Sequence, residues 1–185
     1  HAQHQFHEKA ARLNHIANIT HLVETSKIEF RSAGLSGKAE NLLSDWIHGK
    51  VSGSVSKGIA RTRAAFSAFL HKTKEANPTD IAAAEEIWKA GKAFREAMRK
   101  EADPDGFVYL YRGTATKAVS AATVQSYTPK LNVARGFGAG AQLYRVHVDN
   151  IIGTVGSGDL REAEILVTAP HPQVVNNIPT ETAAT

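Results

Sequence analysis

Asp103-Pro104-Asp105-Gly106-Phe107-Val108-Tyr109-Leu110-Tyr111-Arg112-Gly113 is the stretch at which this chain changes its periodicity. The Asp-Pro-Asp-Gly run stops a helix, because proline removes a backbone donor and glycine frees the chain to turn. The next five residues are aromatic, β-branched or leucine, and Arg112 and Gly113 close them off, which reads as a buried strand. Upstream, apolar residues recur at three- and four-residue spacing; downstream, they alternate or run in short blocks. Helices first and sheet afterwards predicts an α+β fold, not alternating βαβ units.

Working upstream, Asp80 to Lys100 sets Ala84, Ile87, Trp88, Gly91, Phe94, Ala97 and Met98 on one stripe, which predicts a single helix. Pro78 lies just ahead of it, and Thr79 or Asp80 is the expected cap. A second helix is predicted over Lys57 to Ala76, with Ile59, Phe66, Phe69 and Leu70 on one side. Shorter ones are expected around Leu42, Leu43, Trp46 and Ile47, and around Leu13, Ile16 and Val23. Working downstream, Gln142 to Val148 alternates as a strand, and Glu164 to Ala169 is a buried-strand run ended by Pro170 and Pro172. Four to six short strands and one short helix near Asn132–Phe137 complete the reading. The chain thus divides into a helical lobe, 1–105, and a β core, 106–185, in one compact unit.

Composition narrows the chemistry. The 185 residues are 42% hydrophobic and 22% charged, an ordinary globular balance. The absence of Cys excludes a disulfide scaffold, a thiolate metal site and a cysteine nucleophile. No apolar run approaches about 18 residues, so no membrane insertion is expected. The chain opens on His1 rather than Met, which reads as a processed or excised segment. Of the net charge of +4, three units fall in residues 1–105. The basic stretch Lys57, Arg61, Arg63, Lys72 and Lys74 could meet phosphate backbones, although its nearby acids favour a solvated face.

Several motifs dissolve on inspection. Gly136-Phe137-Gly138-Ala139-Gly140 is followed by a strand where the dinucleotide fingerprint requires a helix, so it reads as a plain loop. His4 and His7 lack a carboxylate at matching spacing and read as a solvated tail. His147, alternating on a strand, reads as a structural or surface residue.

Three strings in the second half carry chemistry. Tyr109-Leu110-Tyr111-Arg112-Gly113-Thr114 ends a buried strand on an arginine, whose planar donors beside a glycine suit a pyrophosphate. Ser126-Tyr127-Thr128 precedes the short helix with Asn132, Ala134 and Phe137. Arg161-Glu162-Ala163-Glu164-Ile165-Leu166-Val167 leads two carboxylates at strand spacing into a buried run, where alternation predicts that both face the same way. One carboxylate near a sugar can stabilise positive charge at an anomeric carbon while the second activates an acceptor. A serine on a neighbouring strand is a suitable partner to hold a carboxylate in place. Alone, each string is an ordinary strand end; their order makes the pattern specific.

Over about residues 107–168 that order resembles the mono-ADP-ribosyltransferases of the Arg–Ser–Glu class, found among bacterial toxins and phage enzymes. The resemblance implies a split β-sandwich core carrying a variable helical lobe, with NAD as substrate and no metal. It implies that Arg112 binds the phosphates or nicotinamide ribose, Gly113 the carboxamide, and that Ser126 orients Glu164 while Thr128 supports the site. It further implies that Glu164 stabilises the oxocarbenium-like state and that Glu162 activates the acceptor, favouring protein arginine. The loop Gly153–Arg161 would help choose the target, and Phe137 or Tyr127 would stack on nicotinamide. The more usual Ser-Thr-Ser string is here Ser126-Tyr127-Thr128. The implied setting is a secreted or injected effector, or a phage-delivered enzyme, acting on a macromolecule inside a target cell, with an immunity protein as a possible partner. Three alternatives stay open: transfer to RNA or DNA, NAD glycohydrolysis, and a binding module on a degenerate transferase scaffold.

Overall fold

The computed structural model describes residues 9–25, 30, 33–47, 78–113, 124–136, 140–156, 163–168 and 172–175. Within them, four helices precede the first strand: α1 (Lys9–Thr25), α2 (Gly37–Ile47), α3 (Pro78–Ala90) and α4 (Lys92–Glu101). Then follow β1 (Phe107–Arg112), β2 (Val124–Tyr127), α5 (Leu131–Gly136), β3 (Gln142–His147), β4 (Ile151–Gly156), β5 (Glu164–Thr168) and β6 (Gln173–Val174). The fold is α+β, with helices first and antiparallel strands after, as the change of period at Asp103–Gly106 predicts. The helix predicted over Lys57–Ala76 lies outside the described residues. No described helix is long and apolar enough to cross a membrane.

The strands form two three-stranded sheets. In one, β3 lies between β1 and β6; in the other, β5 lies between β2 and β4. β1 and β3 pair from Phe107 opposite His147 to Arg112 opposite Gln142. The sheets share a core in which Val108, Leu110 and Val146 of the first meet Tyr127, Ile165 and Val167 of the second. Ile19 and Val23 of α1 and Phe94 and Met98 of α4 close this core. A second cluster packs Leu42, Leu43, Ala84 and Ile87 of α2 and α3 against Ile152 and Leu166. The helical lobe therefore wraps the sheet that carries Ser126 and Glu164. Ser36 joins α2 to α3: its N–H (2.6 Å) and its hydroxyl (2.7 Å) both donate to the Glu86 carboxylate. Those two bonds draw the Glu86 pKa below its ordinary value.

The single helix expected over Asp80–Lys100 is two helices that meet at Gly91. The backbone bonds from Gly91 to Ile87 (3.1 Å) and from Arg95 to Gly91 (3.0 Å) run on through the join. A close tertiary contact lies at this join. The Ile152 carbonyl of β4 comes so near Gly91 that a Cβ there would stand 1.7 Å from its oxygen. Arg95 completes the joint, donating through Nη1 to the Ile152 carbonyl at 2.9 Å and through Nη2 to the Trp88 carbonyl at 2.7 Å. Its guanidinium lies 3.9 Å from the centre of the Trp88 ring, so its charge meets a π face as well as carbonyls. The expected caps Thr79 and Asp80 instead fall inside the first turn of α3, which opens on Pro78. Proline suits that position, because its missing N–H would have no helical partner there.

His15 docks α1 on β1. It is only 3% exposed, and its Nε2 accepts the Tyr109 N–H at 3.1 Å while the ring also bonds to the Glu101 backbone. Burial lowers its pKa from 6.5 to about 4. The folded state thus favours the neutral ring, so this group's contribution is full above pH 6.5 and is lost as pH falls toward 4. The loss should amount to as much as about 3 kcal/mol. Urea midpoints at neutral pH and near pH 4 should fall further for the wild type than for His15→Gln, whose amide oxygen can keep the Tyr109 bond without titrating. Equal falls would contradict this role. His147 is structural, as expected: its Nδ1 accepts the Asp149 N–H at 3.1 Å, and its ring stands edge-on to Phe107.

Candidate active site

β2 and β5 pair antiparallel with Ser126 opposite Leu166 and Tyr127 opposite Ile165. One further step along this register sets Glu164 opposite Thr128, so Ser126 and Glu164 are diagonal neighbours on one face. A side chain as long as glutamate spans such a diagonal. The Ser126 hydroxyl donates to Glu164 Oε2. Ser126 and Glu164, two of the residues the sequence singles out, are thus brought together.

Arg112 reaches the same end of the sheets by another route. Tyr111 and Thr128 exchange backbone bonds, Tyr111 N–H to Thr128 O at 2.8 Å and Thr128 N–H to Tyr111 O at 2.9 Å, which joins the end of β1 to the end of β2. Alternation across this bridge puts Arg112 on the face of Tyr127, opposite to that of Ser126 and Glu164. Its guanidinium carbon stands 5.8 Å from the centre of the Tyr127 ring. Its hydrogen bond is a long one, 3.4 Å from Nη1 to the Gly113 carbonyl, and its Nε is buried with no acceptor among the described residues. No bond or ion pair joins Arg112 to Ser126 or Glu164. The structure thus brings Ser126 and Glu164 together on one face and sets Arg112 beside Tyr127 on the other.

The remaining expected residues divide. Gly113 is buried directly after Arg112. Thr128 is buried, and its Oγ1 accepts the Lys130 N–H at 3.1 Å, shaping the turn into α5. Glu162 and Phe137 lie outside the described residues. Tyr127 is not placed to stack on a ligand. It is 2% exposed, its hydroxyl donates to Gln125 Oε1 at 3.0 Å, and its ring meets Tyr144 edge to face at 5.4 Å. Burial raises its pKa well above the ordinary value, with the nearby Arg112 charge acting in the other direction.

One local reading needs correction. The expected loop Gly153–Arg161 begins as strand, since residues through Gly156 belong to β4; 157–161 lie outside the described residues. The expected facing of Glu162 with Glu164 lies outside the described residues. β5 starts at Glu164, and Ala163 before it has a φ of 50°, in the left-handed region, which ends the extended run. Sequence reasoning missed Thr154 altogether: its hydroxyl donates to the Glu164 carbonyl at 2.8 Å. A lone threonine in a strand carries no motif that would have singled it out.

No protein-family model, curated protein or solved structure matches the chain.

Proposed function

We propose that this chain is a mono-ADP-ribosyltransferase that moves ADP-ribose from NAD to a macromolecular acceptor, protein arginine favoured, and releases nicotinamide. The observation that carries the reading is the Ser126–Glu164 bond, formed between two strands that the sequence leaves far apart. The two three-stranded sheets agree in outline with a split β-sandwich, with the bridged ends of β1 and β2 beside the site.

In the proposed reaction the glycosidic bond between the nicotinamide nitrogen and the ribose C1′ breaks, and its electron pair leaves with nicotinamide. Glu164, ionised and oriented by Ser126, stabilises the positive charge that develops at the ribose. Arg112 offers its unfilled donors to phosphate oxygens and so fixes the other end of the substrate. Glu162 takes the proton from the acceptor nitrogen as the new C1′–N bond forms. The setting we propose is an effector domain delivered into a target cell.

The test separates transfer from hydrolysis. Wild-type protein given NAD and a pool of arginine-containing proteins should release nicotinamide and label the acceptor in step. Glu162→Gln should lose about a hundredfold of transfer, the usual worth of a positioned base, while retaining release to water. Equal loss of both would remove the role given to Glu162. Release without any labelled acceptor in the wild type would replace transferase by glycohydrolase.

A further inference from the structure

Three backbone features converge on Glu164. First, β4 carries two more residues than the β5 segment it faces: Ile151 lies opposite Val167 and Gly153 opposite Leu166, then Thr154 opposite Ile165 and Gly156 opposite Glu164. The second irregularity therefore falls at Val155, beside Glu164. A bulge of this kind interrupts the even ladder, bends its strand and re-aims nearby side chains. Second, Ala163 holds a φ of 50° while fully buried. That conformation is unfavourable for a residue with a Cβ, and it persists only where packing over-determines it. Here the Ala163 methyl is locked into the core shared by the two sheets. Third, Thr154, 2% exposed, spans the irregular ladder by donating its hydroxyl to the Glu164 backbone carbonyl.

From these we infer that Thr154 is a positioning residue for Glu164, its hydroxyl fixing the Glu164–Ile165 peptide plane so that the carboxylate stays on Ser126. The left-handed Ala163 turns the chain into β5 on one side, and Thr154 ties it to β4 on the other. The carboxylate is thereby aimed before any substrate arrives, which removes a reorganisation step from the reaction. This inference rests on the role proposed above for Glu164, but its structural half can be tested without that role.

Thr154→Val keeps the shape of the side chain and removes the donor, whereas Thr154→Ser keeps the donor. Thr154→Val should lower kcat for nicotinamide release about tenfold and leave KM for NAD within about twofold, because an orienting contact acts on the transition state. Thr154→Ser should restore most of the rate, and crystal structures should show Glu164 off Ser126 in Thr154→Val and on it in Thr154→Ser. A wild-type kcat in Thr154→Val, an unmoved Glu164, or no rescue by serine would each overturn the inference. Should the valine variant fail to fold, Thr154→Ala removes the same donor, and the same two readouts decide. If the wild type leaves NAD intact, the transferase reading falls, and the crystal structures alone decide whether Thr154 positions Glu164.

Discussion

Glu164→Gln is expected to slow nicotinamide release from NAD by about a hundred- to a thousandfold, the usual worth of one preplaced electrostatic group in a buried site. The amide oxygen can still accept the Ser126 hydroxyl, so shape and hydrogen bond survive while the negative charge is lost. The comparison therefore isolates charge from position. KM for NAD should change little, because the charge opposes a positive centre that exists only as the glycosidic bond breaks. The melting temperature should stay at the wild-type value, since no core contact is altered. Steady-state kinetics at saturating NAD reads the effect. A variant that keeps more than half the wild-type kcat would remove Glu164 from the chemistry.

The second large effect is on stability. Gly91→Ala puts a Cβ 1.7 Å from the Ile152 carbonyl oxygen and 2.8 Å from Arg95 Nη1. The first obstacle is backbone in a buried strand, which cannot step aside as a flexible side-chain tip would. α4 must therefore move off β4, and the Arg95 bonds to the Ile152 and Trp88 carbonyls stretch with it. Buried carbonyls and a buried guanidinium that lose their partners add to the steric cost. The loss should reach about 3–5 kcal/mol, or roughly 10 °C in melting temperature for a chain of this size. In a free helix the same change would be favourable by up to about 1 kcal/mol, because alanine is the better helix former. The sign of the result thus decides between helix propensity and the close approach of β4. Thermal unfolding followed by circular dichroism is sufficient; a melting temperature at or above the wild type would contradict the joint described between α3, α4 and β4.

Much of this architecture is legible in the sequence because it follows from periods. The turn at Asp103–Gly106, the buried strand from Phe107, and the runs at Gln142 and Glu164 all lie where composition and alternation put them. α1, α2 and α5 likewise follow from apolar spacing. The Ser126–Glu164 partnership was also foreseeable, since a serine and a glutamate on strands of opposite direction need only a neighbouring register to meet. What the sequence hides is set by contacts between distant segments. A carbonyl from β4 approaches Gly91 closely, and nothing in the stripe from Ala84 to Met98 announces it. The left-handed Ala163 at the entry to β5 is likewise unannounced, since a count of alternating residues carries no sign of it. Tyr127 looks available for stacking until the first sheet covers it. Thr154 matters only because β4 is out of step with β5, and residue counting within one strand cannot show that.

Transfer of ADP-ribose by this chain, as proposed, can be observed in one reaction. The most direct measurement incubates the purified protein with cell lysate and NAD labelled in its ADP-ribose half, then follows label and nicotinamide together. Label should become covalently attached to a macromolecule, identified by mass spectrometry, with one nicotinamide released for each adduct and both products formed at least about a hundredfold more slowly by Glu164→Gln. Unlabelled macromolecules and intact NAD in the wild-type reaction would contradict the proposed transfer.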